Sequence, residues 1–269
     1  MATVVGVHGI FQYKYHSNPD VLAGIWRDAL AAAAVPADEF MLAYYSPALH
    51  TVTAMGGPSL DDLSPTEHAL MVEWLKQVGV PDAVAQGPVT GWLRDGVDWL
   101  IRSGRAAGAT HAMVGSVLAE IATYTSTTHP EPRRNVHALV GEVIRAQQPR
   151  VVVAHSLGSV VAYETLWAEP DLDVPLLVTV GSPLALTNAF YDSFVPPAAI
   201  AHTRPPGVQR WVNFADVGDL VAVPKHLSNY FTGIETDETV VIDAFECHKI
   251  VPYLTCPPVA SVIREGLQP

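Results

Sequence analysis

The chain has 269 residues, 15 Lys and Arg against 27 Asp and Glu for a formal net charge of −12, and 49% hydrophobic residues with only 16% charged. That length suits one large domain or two small ones, able to bury roughly three quarters of the unfolded surface, and a single domain over residues 1–269 is expected. So acidic a balance, with no basic cluster longer than Arg133-Arg134, argues against nucleic acid and against electrostatic docking on anionic membranes. No apolar run approaches the roughly 20 residues needed to span a bilayer, and the apolar content is too high for a disordered chain.

In chain order, Met1-Ala2-Thr3 carries no basic region and leads straight into Val4-Val5-Gly6-Val7 and His8-Gly9. The opening therefore reads as a strand rather than a signal peptide, and a cytoplasmic location is expected. Short Val/Ile-rich runs then alternate with stretches of helical period, which predicts an α/β fold with a mainly parallel, doubly wound sheet and helices on both faces. Strands are expected at Thr3–Val7, Phe40–Tyr45, Arg150–Ala154, Leu176–Val180, Gln209–Phe214 and Thr239–Phe245. Helices are expected around Val21–Ala34, Arg133–Gln147 before Pro149, and Leu157–Ala168 before Pro170.

Residues about 46–130 break this rhythm, with helix signals and no convincing strand. Ser64-Pro65-Thr66-Glu67 is a capping box with Pro at the first helical position, and Leu70, Met71, Trp74, Leu75 and Val78 follow on one face. Two further candidates carry Trp92, Leu93, Val97 and Leu100, then Met113, Val114, Val117, Leu118 and Ile121. An all-helical insertion in an α/β core either caps the functional edge of the sheet or packs on its side, and a cap is the expectation here. Val195–Gly207, rich in Pro, reads as a loop before the fifth strand.

The most specific local signal is Val151-Val152-Val153-Ala154-His155-Ser156-Leu157-Gly158-Ser159. A serine on a sharp strand-to-helix turn needs small residues two positions to either side, and Ala154 and Gly158 supply them. Such a turn exposes Ser156 at the carboxyl end of the sheet with a helix N-terminus behind it, which suits a nucleophile whose transition state gathers negative charge. The competing reading is an ordinary βα turn with a serine N-cap.

Together with Val4-Val5-Gly6-Val7-His8-Gly9-Ile10 upstream and Gly181-Ser182-Pro183-Leu184 downstream, Ala154-His155-Ser156-Leu157-Gly158 resembles the α/β-hydrolase superfamily, in the style of small bacterial lipases and esterases. Ala154 departs from the Gly-x-Ser-x-Gly pattern. The resemblance covers roughly residues 1–45 and 133–269, and the helical insertion resembles no named family. It implies a triad in the order Ser, acid, His. Asp216 and Asp219 both lie in the loop after the fifth strand, and Asp219 is preferred because Asp219-Leu220-Val221 resembles the acid loop of the family. His248 falls where the histidine of the family falls, with His226 as the rival base. The same resemblance assigns the oxyanion hole to the N–H groups of Ile10 and Leu157. His8 reads as ordering that loop through a backbone hydrogen bond, and His155 as packing beside the turn.

The implied activity is carboxylic ester hydrolysis through an acyl-enzyme on a small, largely apolar substrate. Trp74, Trp92, Trp99 and Met113 of the insertion, with Phe11, Tyr13 and Tyr15 after the first strand, suggest an apolar pocket, with Phe11, Trp74 and Trp92 expected against the substrate, and plain core is the competing reading. A thioesterase or acyl-transferring cyclase with the same triad is the alternative, and a non-catalytic ligand receptor is the alternative outside enzymes. The remaining histidines show no metal-ligand spacing and no nucleotide-binding glycine motif occurs, so neither metal nor cofactor is expected. Cys247 and Cys256 read as small apolar residues, although a bridge pinning the histidine loop is geometrically conceivable.

Overall fold

The structure, a computed structural model, describes residues 3–36, 39–50, 63–81, 89–103, 111–242 and 248–268, with side chains throughout except at 89–92, 111–113 and 116. Six strands form one all-parallel sheet: β1 (Val4–Val7), β2 (Phe40–Ala43), β3 (Val151–His155), β4 (Val174–Val180), β5 (Val208–Asp216) and β6 (Thr236–Val240), in the order β2-β1-β3-β4-β5-β6. Every residue of β1 and β3 is buried, as near-continuous apolar strands covered on both faces should be.

Helices lie on both faces. Beneath one face pack α1 (Pro19–Ala32) and the C-terminal pair α8 (Ile250–Thr255) and α9 (Pro257–Gly266), whose Leu22, Trp26, Tyr253 and Ile263 meet Val4, Val151, Val153 and Val178. Over the other face lie α6 (Glu131–Gln147) and α7 (Leu157–Ala168), joined to Val5, Val152, Leu177 and Trp211 in a second core. Alternate strand residues feed the two cores, which is the two-residue side-chain period at work. The six strands fall close to the runs expected from sequence, except the last. Of the predicted run 239–245, Thr239 and Val240 are strand, 241–242 are not and 243–245 lie outside the described residues, while pairing starts at Thr236 opposite Val212. An edge strand is solvated along one side, so its polar residues Thr236, Asp237 and Glu238 pair and discourage edge-to-edge association.

The helical segment comprises α2 (Ser46–Leu49), α3 (Pro65–Gln77), α4 (Val89–Arg102) and α5 (His111–Thr125). The capping box forms as read: the Ser64 hydroxyl accepts the Glu67 N–H, and the Glu67 carboxylate accepts the Ser64 N–H at 2.7 Å. Leu70, Met71, Leu75, Leu93, Val97, Leu100 and Leu118 are buried in the same core as α6 and α7. A fully buried polar cluster fixes the end of this segment. Glu164 on α7 pairs with Arg133 and accepts from Val195 N–H at 2.8 Å, while His137 lies 3.0 Å away and the Tyr124 hydroxyl of α5 also bonds it. No helix among the described residues is long and apolar enough to cross a membrane.

The sheet order places a topological switch between β1 and β3. The chain leaves β1 toward β2 on one side, then crosses back to β3 on the other, so the loops after β1 and β3 diverge and open a crevice at their carboxyl ends.

Candidate functional site

Ser156 occupies the turn from β3 into α7 with φ 55° and ψ −132°, a conformation costing about 1–3 kcal/mol that a non-glycine residue keeps only where its surroundings fix it. Its N–H bonds to Val180 O at 3.1 Å, and its carbonyl accepts both the N–H and the hydroxyl of Ser159. The small residue two places on is obligatory. A Cβ at Gly158 would come 2.3 Å from Val7 O and 2.4 Å from His8 O, so α7 starts in direct contact with the end of β1.

The three expected triad side chains meet. His248 Nε2 lies 2.9 Å from Ser156 Oγ, and His248 Nδ1 lies 2.8 Å from Asp219 Oδ2. An ionised carboxylate only accepts, so Nδ1 carries the proton and Nε2 is left to accept from the serine hydroxyl. Asp219 is fully buried, with Oδ1 accepting Val221 N–H at 2.8 Å and Ala222 N–H at 3.2 Å, and Oδ2 accepting the Tyr253 hydroxyl at 2.8 Å. Burial acts to raise its pKa but is outweighed by the His248 charge and these donors, so the carboxyl lies well below the usual range.

The rival assignments do not reach the serine. Asp216 spends its carboxylate on loop closure, accepting Gly218 N–H at 2.7 Å and Ile242 N–H at 2.8 Å. His226 sits half exposed beside Asp237, 3.9 Å away. The supporting histidines are held neutral. His155, driven to about 3 by burial and then by the neighbouring His248, donates Nε2–H to His248 O at 2.8 Å. His8, driven to about 4 by burial, donates Nδ1–H to Gly9 O and accepts Tyr45 N–H at Nε2.

Tyr253 is a site residue with no motif to announce it. It projects from α8, donates to Asp219 and accepts the Asp216 N–H at 2.7 Å, so one buried phenol ties the acid to the loop that carries it. Burial, and then the Asp219 charge, hold that phenol far above its ordinary pKa, so it stays a donor.

Beside Ser156 lies a cavity of about 120 Å³, lined from the core by Ile10, Leu157, Pro183, Leu186 and Phe190 and from the helical segment by Leu70, Trp74, Val114, Val117, Leu118 and Ile121. Residues of α3 and α5 therefore meet Ser156 across this cavity. They are also fastened to the loops of the core: Trp74 Nε1–H donates to Leu220 O at 2.9 Å, next to Asp219, and Glu73 accepts the Thr187 hydroxyl at 3.0 Å.

Of the expected substrate contacts, Trp74 lines the cavity. Phe11 does not: φ is 63°, its side chain is partly exposed off the cavity wall, and its N–H is given to Glu120. The Trp92 and Met113 side chains and Cys247 lie outside the described residues, and Trp99 packs into the core instead of the cavity. Ile10 and Leu157 both border the cavity, and neither backbone N–H has an acceptor among the described residues. Among the described residues no three His, Cys, Asp or Glu side chains gather as a metal site would need. No protein-family model matches this chain, and no curated protein or solved structure matches it either.

Proposed function

We propose that this chain is a serine hydrolase of the α/β-hydrolase type that cleaves a carboxylic ester with a short apolar acyl group. The observation that carries the reading is the unbroken relay from Asp219 Oδ2 through both ring nitrogens of His248 to Ser156 Oγ, ending at an apolar cavity. His248 takes the Ser156 proton as Oγ attacks the carbonyl carbon, and the imidazolium so formed is stabilised by Asp219. The tetrahedral oxyanion is received by the free N–H groups of Ile10 and Leu157, each worth a few kcal/mol in comparable sites, with the positive end of α7 behind them. His248 then returns its proton to the leaving alcohol, and water attacking by the reverse route releases the acid and restores Ser156.

The size of the cavity sets the acyl group. An apolar cavity of about 150 Å³ holds a benzene ring, so about 120 Å³ accommodates a short acyl chain of about four or five carbons. A fluorophosphonate probe should label Ser156, and p-nitrophenyl esters near butyrate should turn over fastest. Ser156→Ala should abolish labelling and lower turnover by at least about 10³ at an unchanged melting temperature. Labelling elsewhere, or near-wild-type turnover by Ser156→Ala, would refute the reading.

A further inference from the structure

The helical segment also reaches the loop after β1, away from the cavity wall. Both oxygens of Glu120, on α5, lie 3.3 Å from the backbone N–H of Phe11, 109 residues away in the loop that follows β1. We infer that Glu120 is a positioning residue, holding the Gly9–Gln12 loop so that the Ile10 N–H faces the carbonyl attacked by Ser156. The inference rests on the catalytic reading of Ser156 given above.

Three features support it. First, the loop needs to be held. Phe11 has φ 63°, a left-handed conformation that costs a bulky residue about 1 kcal/mol or more and persists only where its neighbours fix it. The other restraints on the loop include His8 Nδ1 to Gly9 O at 2.6 Å, Gln12 Nε2 to Ile10 O at 2.8 Å, and the Tyr44 hydroxyl and Tyr15 N–H to Gln12 O at 2.8 and 3.0 Å. The Phe11 N–H is the peptide group of the strained residue itself, and only Glu120 accepts it. Second, the loop has no slack toward the serine, because a Cβ on Gly9 would come 2.7 Å from Ser156 Cβ. A rotation of the Phe11 peptide is therefore felt at the adjoining Ile10 N–H, and a displacement near 1 Å in such a site costs about 10²-fold in rate.

Third, Glu120 is a poor choice for stability alone. It is half-buried beside Tyr44 and Tyr45, whose ionisations its charge opposes, and no Lys, Arg or His among the described residues pairs with it. A carboxylate placed so expensively belongs to a site rather than to packing.

The test compares Glu120→Leu, which keeps the volume and helix propensity but offers no acceptor, with Glu120→Gln, which keeps one carbonyl oxygen. Glu120→Leu should lower kcat on p-nitrophenyl butyrate about 10- to 100-fold with KM within about threefold, because an oxyanion donor acts in the transition state and not in ground-state binding. Inhibition by butylboronic acid, whose tetrahedral adduct occupies the oxyanion position, should weaken by a similar factor. Glu120→Gln should recover kcat to within about fivefold of wild type. Unchanged kcat in Glu120→Leu, or equal losses in both variants tracking a common fall in melting temperature, would overturn the inference while leaving Ser156 labelling intact. If wild type shows neither labelling nor turnover, the catalytic reading fails and this inference falls with it.

Discussion

Replacing Asp219 by Asn exchanges one oxygen for an NH₂ group at almost constant volume, and the surroundings dictate which oxygen goes. Oδ1 accepts two backbone N–H groups, from Val221 and Ala222, while Oδ2 accepts His248 Nδ1–H and the Tyr253 hydroxyl. Turning the NH₂ toward the backbone would set donor against donor twice in a fully buried place, at about 1–3 kcal/mol for each N–H left unpaired. The amide therefore keeps its oxygen on the backbone and points its NH₂ at His248. Nδ1 must then accept, the ring proton moves to Nε2, and Nε2 donates to Ser156 Oγ instead of receiving its proton. The base is present but in the wrong tautomer, and turnover should fall on the order of 10⁴-fold, as in triads generally.

Asp216→Asn is the matched control. Its two oxygens each accept one buried N–H, so the amide strands one of them, at about 1–3 kcal/mol of stability, without touching the tautomer. Turnover of p-nitrophenyl butyrate by the folded fraction should stay within about tenfold of wild type. Paired measurements of kcat and denaturant midpoint decide the matter. A larger kcat loss in Asp216→Asn than in Asp219→Asn would refute the reasoning.

Other expectations follow from the cavity, the buried cluster and Glu120. Each added acyl methylene should raise kcat/KM about fourfold, from about 0.8 kcal/mol per buried CH₂, up to roughly four carbons, and Val117→Phe should move that optimum to shorter chains; an optimum independent of Val117 would count against the cavity as the acyl site. Glu164→Ala leaves Arg133 buried without its carboxylate and should cost about 3–5 kcal/mol by denaturant unfolding, and a loss under 1 kcal/mol would show that the cluster does not anchor α5. Burial pushes Glu120 up to about 7, so the folded state holds that proton more tightly than the unfolded one. The stability so gained is full below the ordinary carboxylate range and is lost as pH rises through about 7. Glu120→Gln should therefore equal wild type near pH 4.5 and exceed it above pH 8 by up to about 3 kcal/mol, and a difference independent of pH would contradict the assignment.

Several features were legible in the sequence because they are local. The strand-to-helix turn at Ser156 is written in Gly158, where a Cβ would collide with the Val7 and His8 carbonyls, and the capping box at Ser64 and Glu67 is complete within four residues. The core strands β1 (Val4-Val5-Gly6-Val7) and β3 (Val151-Val152-Val153-Ala154-His155) are Val-rich because both of their faces are covered. The edge strand β6 and the helices α8 and α9 were not legible. The first pairs through backbone and needs no apolar pattern, and Pro252, Pro257 and Pro258 interrupt the helical period of the pair.

The sequence by itself determined the strand-to-helix turn at Ser156, five of the six strands and a loop holding two candidate acids. Only the tertiary structure separates the two carboxylates, because Asp216 and Asp219 differ in the partners that packing brings to them and not in their neighbours along the chain. The same holds for Tyr253 and Glu120. Each reaches its partner across 34 to 109 residues of chain, Asp219 for the tyrosine and the Phe11 N–H for the glutamate, so no local pattern carries the contact. Hydrogen-bond partnership in a folded chain depends on which surfaces the cores bring together, and that is a property of the whole fold.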